Sequence, residues 1–305
     1  MLEVYDESRL SEAGPDDLSD ALERGAIVYF PRSPVPLPAD DDLDFFREQL
    51  PELLKLKNIS YHPEADHVRG LDTDDETVAK RVHDVLVTMS NDIAGFLTRT
   101  APRLTEDWQV GTCSFRPIEE KGRNLKPHAS NELVHIDAGA YGATNGARIL
   151  RFFVNVNPVE DRVWATKGTF PELYRRYGAP AKIKPERVTK NYLHKRPWDH
   201  LRTGVVNGLS SVGLPMAKVL DSSPYDRVMR QFHNFMKDTP SFQEDPLGHE
   251  ELRFPPYSAW AVFTDMVSHA VLSGQFCFVH TSIIQLSNCR MPELAPYNIL
   301  RGSTA

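Results

Sequence analysis

Residues 133–137 read Leu-Val-His-Ile-Asp, and a glycine-rich loop, 139–146, follows them. Alternate residues of a β-strand point to the same face, so the imidazole of His135 and the carboxylate of Asp137 can bind one metal ion together. The alternative is a chance HxD tripeptide, in which the two side chains only hydrogen-bond at the surface. The stretch predicts two ligands of a 2-His-1-carboxylate site, which holds Fe(II) and leaves positions open for a co-substrate and O₂.

The third ligand should be a histidine from a distant strand. We expect it to be His269, in the segment 263–276 (Phe-Thr-Asp-Met-Val-Ser-His-Ala-Val-Leu-Ser-Gly-Gln-Phe), at the end of one strand and before a Ser-Gly turn and a returning strand. His280, six residues after that turn, is the reserve candidate. His233 lies among apolar residues of a predicted helix, so we expect it to be a packed or capping histidine.

Short apolar runs separated by loops indicate strands after Trp108, a pattern typical of an antiparallel sandwich or jelly roll. We therefore expect an α+β fold, with a double-stranded β-helix (jelly-roll or cupin-like) core, a helical amino-terminal flank and helical inserts. The chain should form a single domain, 1–305, with a mostly helical flank at 1–105, the core at 106–305 and the insert at about 171–250. The predicted strands are 109–115, 133–136, 149–156, 259–266 and 275–286, and the predicted inserted helices are 171–177 and 225–237.

The longest predicted helix lies between Asp75 and Thr100. Its apolar residues recur at steps of three and four from Val78 to Leu97, which is the period of an amphipathic helix. This stripe should pack against a sheet. The other predicted elements of the flank are a helix from Asp16 to Arg24, a strand at 26–30, a proline-rich loop at 33–41 and a helix capped by Asp42 that runs to Leu50.

Arg151 lies in the apolar run 148–158, where an unpaired charge on an inward face would be costly. A guanidinium there implies a buried anion, and its planar fork suits a dicarboxylate co-substrate beside the metal. The alternative is that Arg151 faces solvent, because the phase of a strand is not set by its sequence alone. Arg116, Arg162 and Trp164 complete the candidate cluster, with Trp164 as either a flat wall for a ligand or a core residue.

The composition excludes several classes of protein. The chain has 305 residues, 41% hydrophobic and 25% charged, as in globular proteins, and its net charge of −7 disfavours nucleic acid as a partner. We expect no signal peptide and no transmembrane segment, since the first residues are acidic and no apolar run is long enough. Cys113, Cys277 and Cys289 form no CxxC pair, which favours reduced, structural thiols in the cytoplasm. No motif for nucleophilic hydrolysis or for nucleotide binding appears.

Five segments carry a resemblance to a known family: 57–61 (Lys-Asn-Ile-Ser-Tyr) with Pro63 and Gly70, then 135–137, 148–158, 162–164 and 269–276. In this order, over roughly residues 57–300, they resemble the Kdo hydroxylases, Fe(II)- and 2-oxoglutarate-dependent dioxygenases of bacterial lipopolysaccharide assembly. The resemblance implies hydroxylation at carbon 3 of the terminal Kdo sugar of a lipid A precursor, at the cytoplasmic face of the inner membrane. 2-Oxoglutarate would be decarboxylated to succinate.

The resemblance also implies roles for individual residues. His135, Asp137 and His269 would hold the iron, and Arg116, Arg151, Arg162 and Trp164 would line the pocket for 2-oxoglutarate and the anionic sugar, in an undetermined division. Many dioxygenases of this class place an arginine about ten residues after the distal histidine, but position 279 is valine here. Arg151 is therefore the expected partner of the co-substrate carboxylate.

The substrate is less closely specified than the cofactors. The segment 182–202 is locally basic and suits the approach of an anionic lipid, although such runs are usually solvated faces. The expected partner is a small-molecule or glycolipid Kdo substrate. Any contact with the membrane should be peripheral rather than transmembrane. The sequence does not indicate the oligomeric state. The alternatives are the same oxidation of another sugar, acid or protein side chain, a cupin-like binding protein without redox chemistry, and a metal-dependent isomerase or hydrolase.

Overall fold

A computed structural model describes residues 1–123, 125–139, 143–183 and 223–302. Within them the strands are β1 (Leu2–Val4), β2 (Ile27–Phe30), β3 (Ile59–His62), β4 (His67–Arg69), β5 (Gln109–Arg116), β6 (Arg148–Asn155), β7 (Arg162–Thr166), β8 (Glu250–Phe254), β9 (Ala259–Phe263), β10 (Ala270–Ser273) and β11 (Cys277–Ile284). The α-helices are α1 (Glu7–Glu12), α2 (Asp17–Glu23), α3 (Asp40–Glu48), α4 (Glu76–Thr100), α5 (Phe170–Tyr177), α6 (Pro224–Asp238), α7 (Pro240–Glu244) and α8 (Pro296–Gly302).

The strands form two sheets. The large sheet has eight strands in the order β1-β2-β9-β6-β11-β5-β3-β4, and the small sheet has three in the order β10-β7-β8. All neighbours are antiparallel except β1 and β2, which are parallel. The predicted jelly-roll architecture is thus confirmed, as two sheets that do not close into a barrel in the described part of the chain. Strands from the amino-terminal flank extend both edges of the large sheet.

The outer face of the large sheet packs against α4. Phe96 of that helix lies against Phe30 of β2 and Phe152 of β6, with ring centroids 5.5 and 5.7 Å apart. The helix begins as predicted, with the Asp75 carboxylate accepting hydrogen bonds from the N–H groups of Thr77 and Val78. Its apolar stripe therefore forms core, as the periodicity indicated.

The inner face of the large sheet packs against the small sheet. Phe153 of β6 contacts Trp164 of β7 at 4.9 Å and Trp260 of β9 at 4.9 Å. Residues two apart on a strand share a face, so Arg151 points to this inner side together with Phe153. Its side chain is only 18% exposed. The solvent-facing alternative for Arg151 is wrong.

Several details of the sequence prediction need correction. Residues 133–136 belong to no strand; they lie beside the small sheet through a single β-bridge at His135. Asp42 lies inside α3, which begins at Asp40 after Ala39, so Asp42 is not the cap. The predicted strand 275–286 is shorter, and a separate strand, β10, precedes the Ser-Gly turn.

Two other expectations concern cysteines and membranes. All three cysteines are buried and free of disulfides, as expected for structural thiols. In the described ranges, no helix is both long enough and apolar enough to cross a bilayer.

Candidate metal and anion site

The three predicted metal ligands lie together in two adjacent segments. His135 and His269 form an antiparallel bridge, in which the backbone N–H of each donates to the carbonyl of the other, at 3.0 and 2.8 Å. The N–H of Asp137 donates to the carbonyl of Thr264 at 2.9 Å. His269 directly precedes β10 instead of ending the strand before it, because β9 already stops at Phe263.

The side chains of this triad offer a compact set of ligand atoms. One donor atom from each lies within 4.8 Å of the others, and His135 Nε2 is 3.7 Å from Asp137 Oδ1. All three residues are buried, with exposed fractions of 5% for His135, 8% for Asp137 and 6% for His269. Two imidazoles and one carboxylate with open positions beside them form the donor set that suits non-heme Fe(II).

A hydrogen bond orients each imidazole. Nδ1 of His135 lies 2.7 Å from the carbonyl oxygen of Leu133, and Nδ1 of His269 lies 3.0 Å from that of Val267. Because a carbonyl oxygen can only accept, each Nδ1 carries the proton and each Nε2 keeps its lone pair. Histidine ligands of metals generally donate their other N–H in this way. Each ring can therefore bind a metal ion through Nε2.

The protonation states of the triad also suit a metal. Burial lowers the pKa of His135 well below its usual value and lowers the pKa of His269 as well, so both rings are neutral near pH 7. Burial alone would raise the pKa of Asp137, but nearby positive charge, above all that of the Arg151 guanidinium, outweighs it and lowers that pKa. Metal binding needs neutral imidazoles and an ionised carboxylate, and the fold supplies both.

Arg151 lies against the carboxylate of the triad. Its Nη2 is 2.9 Å from Asp137 Oδ2, whereas Oδ1 of the same carboxylate faces His135. The guanidinium is therefore ion-paired with Oδ2, which has no hydrogen-bond partner, and Oδ1 lies among the ligand atoms. The Nε of Arg151 is buried without a hydrogen-bond partner, although an arginine N–H at such a position requires one.

A second group of arginines surrounds Glu120, which is 2% exposed. Arg123 approaches the carboxylate at 3.3 Å, Arg162 at 3.8 Å and Arg116 at 3.9 Å. Burial, with a contribution from Arg151, lowers the pKa of Arg116 to about 10. One carboxylate cannot balance three guanidinium groups, so this group carries an excess of positive charge.

Unpaired donors point to an anionic ligand. Arg116 Nε, Arg162 Nε and Trp164 Nε1 are buried and lack a hydrogen-bond partner, as does Arg151 Nε. Leaving such donors unmet costs free energy, which an anion with several acceptor oxygens would recover. The cations that interact electrostatically here are Lys57, Arg116, Arg123, Arg151, Arg162 and Lys237, and the carboxylates that interact with them are Glu120 and Asp137.

Trp164 forms a wall of the site beside His269. Its ring stacks on His269 with centroids 5.2 Å apart, and it is 1% exposed, so it belongs to the core and borders the site. The Ser-Gly turn, Ser273-Gly274, contacts one of the arginines: Nη1 of Arg162 donates to the carbonyl of Gly274 at 3.0 Å. Gly274 has φ +121°, and a Cβ there would lie 2.9 Å from Arg162 Cγ. Only glycine fits this turn.

The other two candidate histidines do not join the triad. His280 pairs with Phe152 in the large sheet, on the face that packs against α4, and burial lowers its pKa to about 4. His269, not the reserve candidate His280, therefore completes the cluster. His233 borders the site instead: its ring lies 5.0 Å from that of His135, and its Nδ1 donates to the carbonyl of Ile136 at 2.8 Å.

Sequence reasoning missed four charged residues of the site, of which Lys57 was named only as part of the segment 57–61. Glu120 and Arg123 lie in an irregular segment with no motif, so no local signal marks them. Lys237 lies on the predicted inserted helix, where its buried ammonium donates to the carbonyl of Ser130 at 2.9 Å. Most of the basic segment 182–202, from Lys184 onward, falls outside the described residues.

Comparisons with known proteins show which family and which solved structures the chain is similar to. The profile of a family described as 3-deoxy-D-manno-oct-2-ulosonic acid (Kdo) hydroxylase matches residues 6–304. The apo structure of the Kdo hydroxylase KdoO, a non-heme Fe(II) alphaketoglutarate dependent dioxygenase, is similar at 25% identity, covering 98% of this chain and 94% of that chain with a TM-score of 0.77. The KdoO complexes with alphaketoglutarate and Fe(III), and with succinate and Fe(III), cover the same shares at 24% identity and a TM-score of 0.76. No curated protein sequence matches the chain.

Proposed function

The chain belongs to the Kdo hydroxylase family, and from that premise we propose that it hydroxylates carbon 3 of a Kdo sugar in a lipid A precursor. It is an Fe(II)- and 2-oxoglutarate-dependent dioxygenase, in which 2-oxoglutarate is decarboxylated to succinate and O₂ is the oxidant. The observation that carries the residue assignment is the buried triad with two orienting hydrogen bonds, set beside unpaired arginine donors.

In this proposal His135, Asp137 and His269 hold the iron. Bound Fe(II) supplies the activation of O₂ that is coupled to the decarboxylation of 2-oxoglutarate. Asp137 would present Oδ1 to the iron, while Oδ2 is ion-paired with Arg151. Burial of the triad and the wall formed by Trp164 exclude water from the reacting groups.

The arginines would bind the two anionic molecules of the reaction. Arg151 is nearest to the triad, so we assign it to a carboxylate of 2-oxoglutarate. Arg116 and Arg162 lie around Glu120, and their unpaired Nε groups favour the binding of a further carboxylate or phosphate. Kdo carries a carboxylate and its lipid carries phosphates, so the excess of positive charge matches either molecule.

We also propose that the enzyme acts in the cytoplasm, in peripheral contact with the inner membrane. A substrate that is a lipid A precursor lies at that surface, and a peripheral enzyme could reach its sugar from the aqueous side. The matching experiment is sedimentation of the protein with vesicles that contain the Kdo-bearing precursor, compared with vesicles that lack it.

Anaerobic addition of Fe(II) and 2-oxoglutarate tests the cofactor chemistry. The visible charge-transfer absorption of the chelate should appear in the wild-type protein, disappear in His269→Ala and persist in His280→Ala. After O₂ is admitted, succinate release should rise with a Kdo-bearing lipid A precursor more than with other sugars or acids. A folded wild-type protein without the absorption would favour a non-redox binding protein, whereas absorption with succinate release on a different acid would move only the substrate assignment.

A further inference from the structure

The segment that carries His135 and Asp137 is held differently on its two sides. On one side it meets the strand region that contains His269, through the His135 bridge and the bond from Asp137 N–H to Thr264. On the other side, no strand pairs with it in the ranges that the structure describes. Side chains from the inserted helices α6 and α7 meet its backbone groups there.

Gln243 of α7 hydrogen-bonds to the backbone of this segment in the way that a neighbouring strand would. Its Oε1 accepts from the N–H of Val134 at 3.0 Å, and its Nε2 donates to the carbonyl of Val134 at 2.9 Å. Nε2 also donates to the carbonyl of Met236 at 2.8 Å, which ties the amide to the end of α6. A primary amide offers one acceptor and donors in the arrangement of a peptide group, so it can replace one residue of a neighbouring strand.

The contact between Gln243 and Val134 is linked to the metal ligand His135 through one peptide plane. The N–H of Val134 and the carbonyl of Leu133 belong to the same peptide bond, so fixing one fixes the other. That carbonyl is the acceptor for Nδ1 of His135 at 2.7 Å. The chain of contacts therefore runs from Gln243 Oε1, through the 133–134 peptide, to the imidazole whose Nε2 faces the triad.

We propose that Gln243 is a positioning residue for the metal site: it orients and polarises the Leu133–Val134 peptide, and that peptide sets the ring of His135. A hydrogen bond accepted from the N–H side of a peptide strengthens its carbonyl as an acceptor. A better acceptor at Leu133 fixes the tautomer and raises the basicity of Nε2. The inference rests on the proposed function, because it assumes that His135 binds a metal.

Co(II) titration of the metal-free protein, followed by visible absorption, tests the assignment without turnover. Gln243→Leu should raise the Kd for Co(II) about tenfold, at the lower end of the effect of removing a partner that hydrogen-bonds to a histidine ligand. Gln231→Leu is the matched control: Gln231 lies on α6 and donates to the carbonyl of Ala181 at 2.7 Å, away from the 130–137 segment. Its Kd should stay within twofold of the wild type. A Kd for Gln243→Leu within twofold of the wild type, or an equal loss in Gln231→Leu, would overturn the proposal.

Gln243→Glu separates the route through Val134 N–H from general support of the helix. A glutamate keeps an oxygen to accept from Val134 but cannot donate, as a carboxylate, to Val134 or Met236. Its Kd should lie closer to the wild type than to Gln243→Leu; a loss as large as in Gln243→Leu would show that the peptide route does not act. If the wild-type protein itself gives no Co(II) spectrum that His269→Ala removes, the proposed function fails, and this outcome is distinct from an unchanged Kd in Gln243→Leu.

Discussion

The two histidine ligands are oriented by the same kind of hydrogen bond, but different groups support the peptide that accepts it. In each case Nδ1 donates to the carbonyl two residues earlier, and the N–H of the same peptide plane donates to an acceptor. For His269 that N–H belongs to Ser268, and its acceptor is the backbone carbonyl of Gly168 at 3.0 Å. For His135 the acceptor is the side-chain amide of Gln243.

The difference shows which half of the site depends on the backbone. The His269 segment lies between strands, and its supporting acceptor is a main-chain group that no substitution removes. The His135 segment depends on side chains of an inserted helical region, which substitutions can remove. Changes in α6 and α7 should therefore alter the site through His135, whereas changes near His269 should alter stability first.

The largest effect should follow from breaking the buried framework beneath the His269 segment. Asp265 accepts from Arg148 Nε at 2.6 Å and from the N–H of Ile149 at 3.1 Å, with both side chains of the pair essentially unexposed. Arg148→Met leaves the buried carboxylate without its cation, which typically costs about 3–5 kcal/mol. Urea denaturation of the metal-free protein measures the loss.

Arg253→Met is the control for this substitution. Arg253 pairs with Glu251, and the side chains are 62% and 44% exposed, so its removal should cost less than about 1 kcal/mol. Similar losses in the two variants would mean that the Arg148 pair does not support the fold more than a surface pair does.

A smaller effect should appear in the pH dependence of stability, through His280. This histidine lies in the sheet between the two ligand segments and the helix α4, and Nε2 has no hydrogen-bond partner. Burial lowers its pKa to about 4 in the folded protein, below the unfolded value of about 6.5. The unfolded state therefore binds the proton more tightly, and stability falls as the pH drops below the unfolded value. Without His280, the decrease in the free energy of unfolding between pH 7 and pH 5 should be smaller by about 2 kcal/mol.

His280→Leu isolates that contribution. Urea denaturation at pH 7 and pH 5, in the wild type and the variant, gives the difference directly, because the other titrating groups are common to both. An identical pH dependence in the two proteins would contradict the assignment of a depressed pKa to His280. Charge-transfer absorption with Fe(II) and 2-oxoglutarate should be retained in the variant, since His280 faces away from the triad.

The sequence alone reaches much of this architecture. A 25-residue amphipathic helix and strands such as β5 and β6 have sequence patterns strong enough to place them within one or two residues. The triad was also predictable, because HxD and a histidine before a Ser-Gly turn are local patterns. The division of the chain into a flank, a core and an insert stays a prediction.

Other features depend on contacts that no local pattern encodes. Residues 133–136 look like a strand, but one of their edges is met by the side chains of Gln243 and His233, which lie 109 and 97 positions after the residues they contact. The choice between His269 and His280 depends on strand phase, which only the register with Phe152 settles. Glu120 and Arg123 come together with Arg162 through the tertiary fold, so a search for motifs could not find them.

The smallest effect should come from a change near the His269 support that leaves its backbone acceptor in place. The Glu172 carboxylate accepts from Thr169 N–H and Oγ1, both at 2.7 Å, at the start of α5, one residue after Gly168. Glu172→Ala should lower the free energy of unfolding by about 0.5–1 kcal/mol, as loss of a helix-capping contact does. The Kd for Co(II) should stay within twofold of the wild type, because the Gly168 carbonyl remains in position to accept from Ser268. A tenfold weaker Co(II) affinity in Glu172→Ala would show that His269 depends on side chains as much as His135 does, and the contrast between the two ligands would be lost.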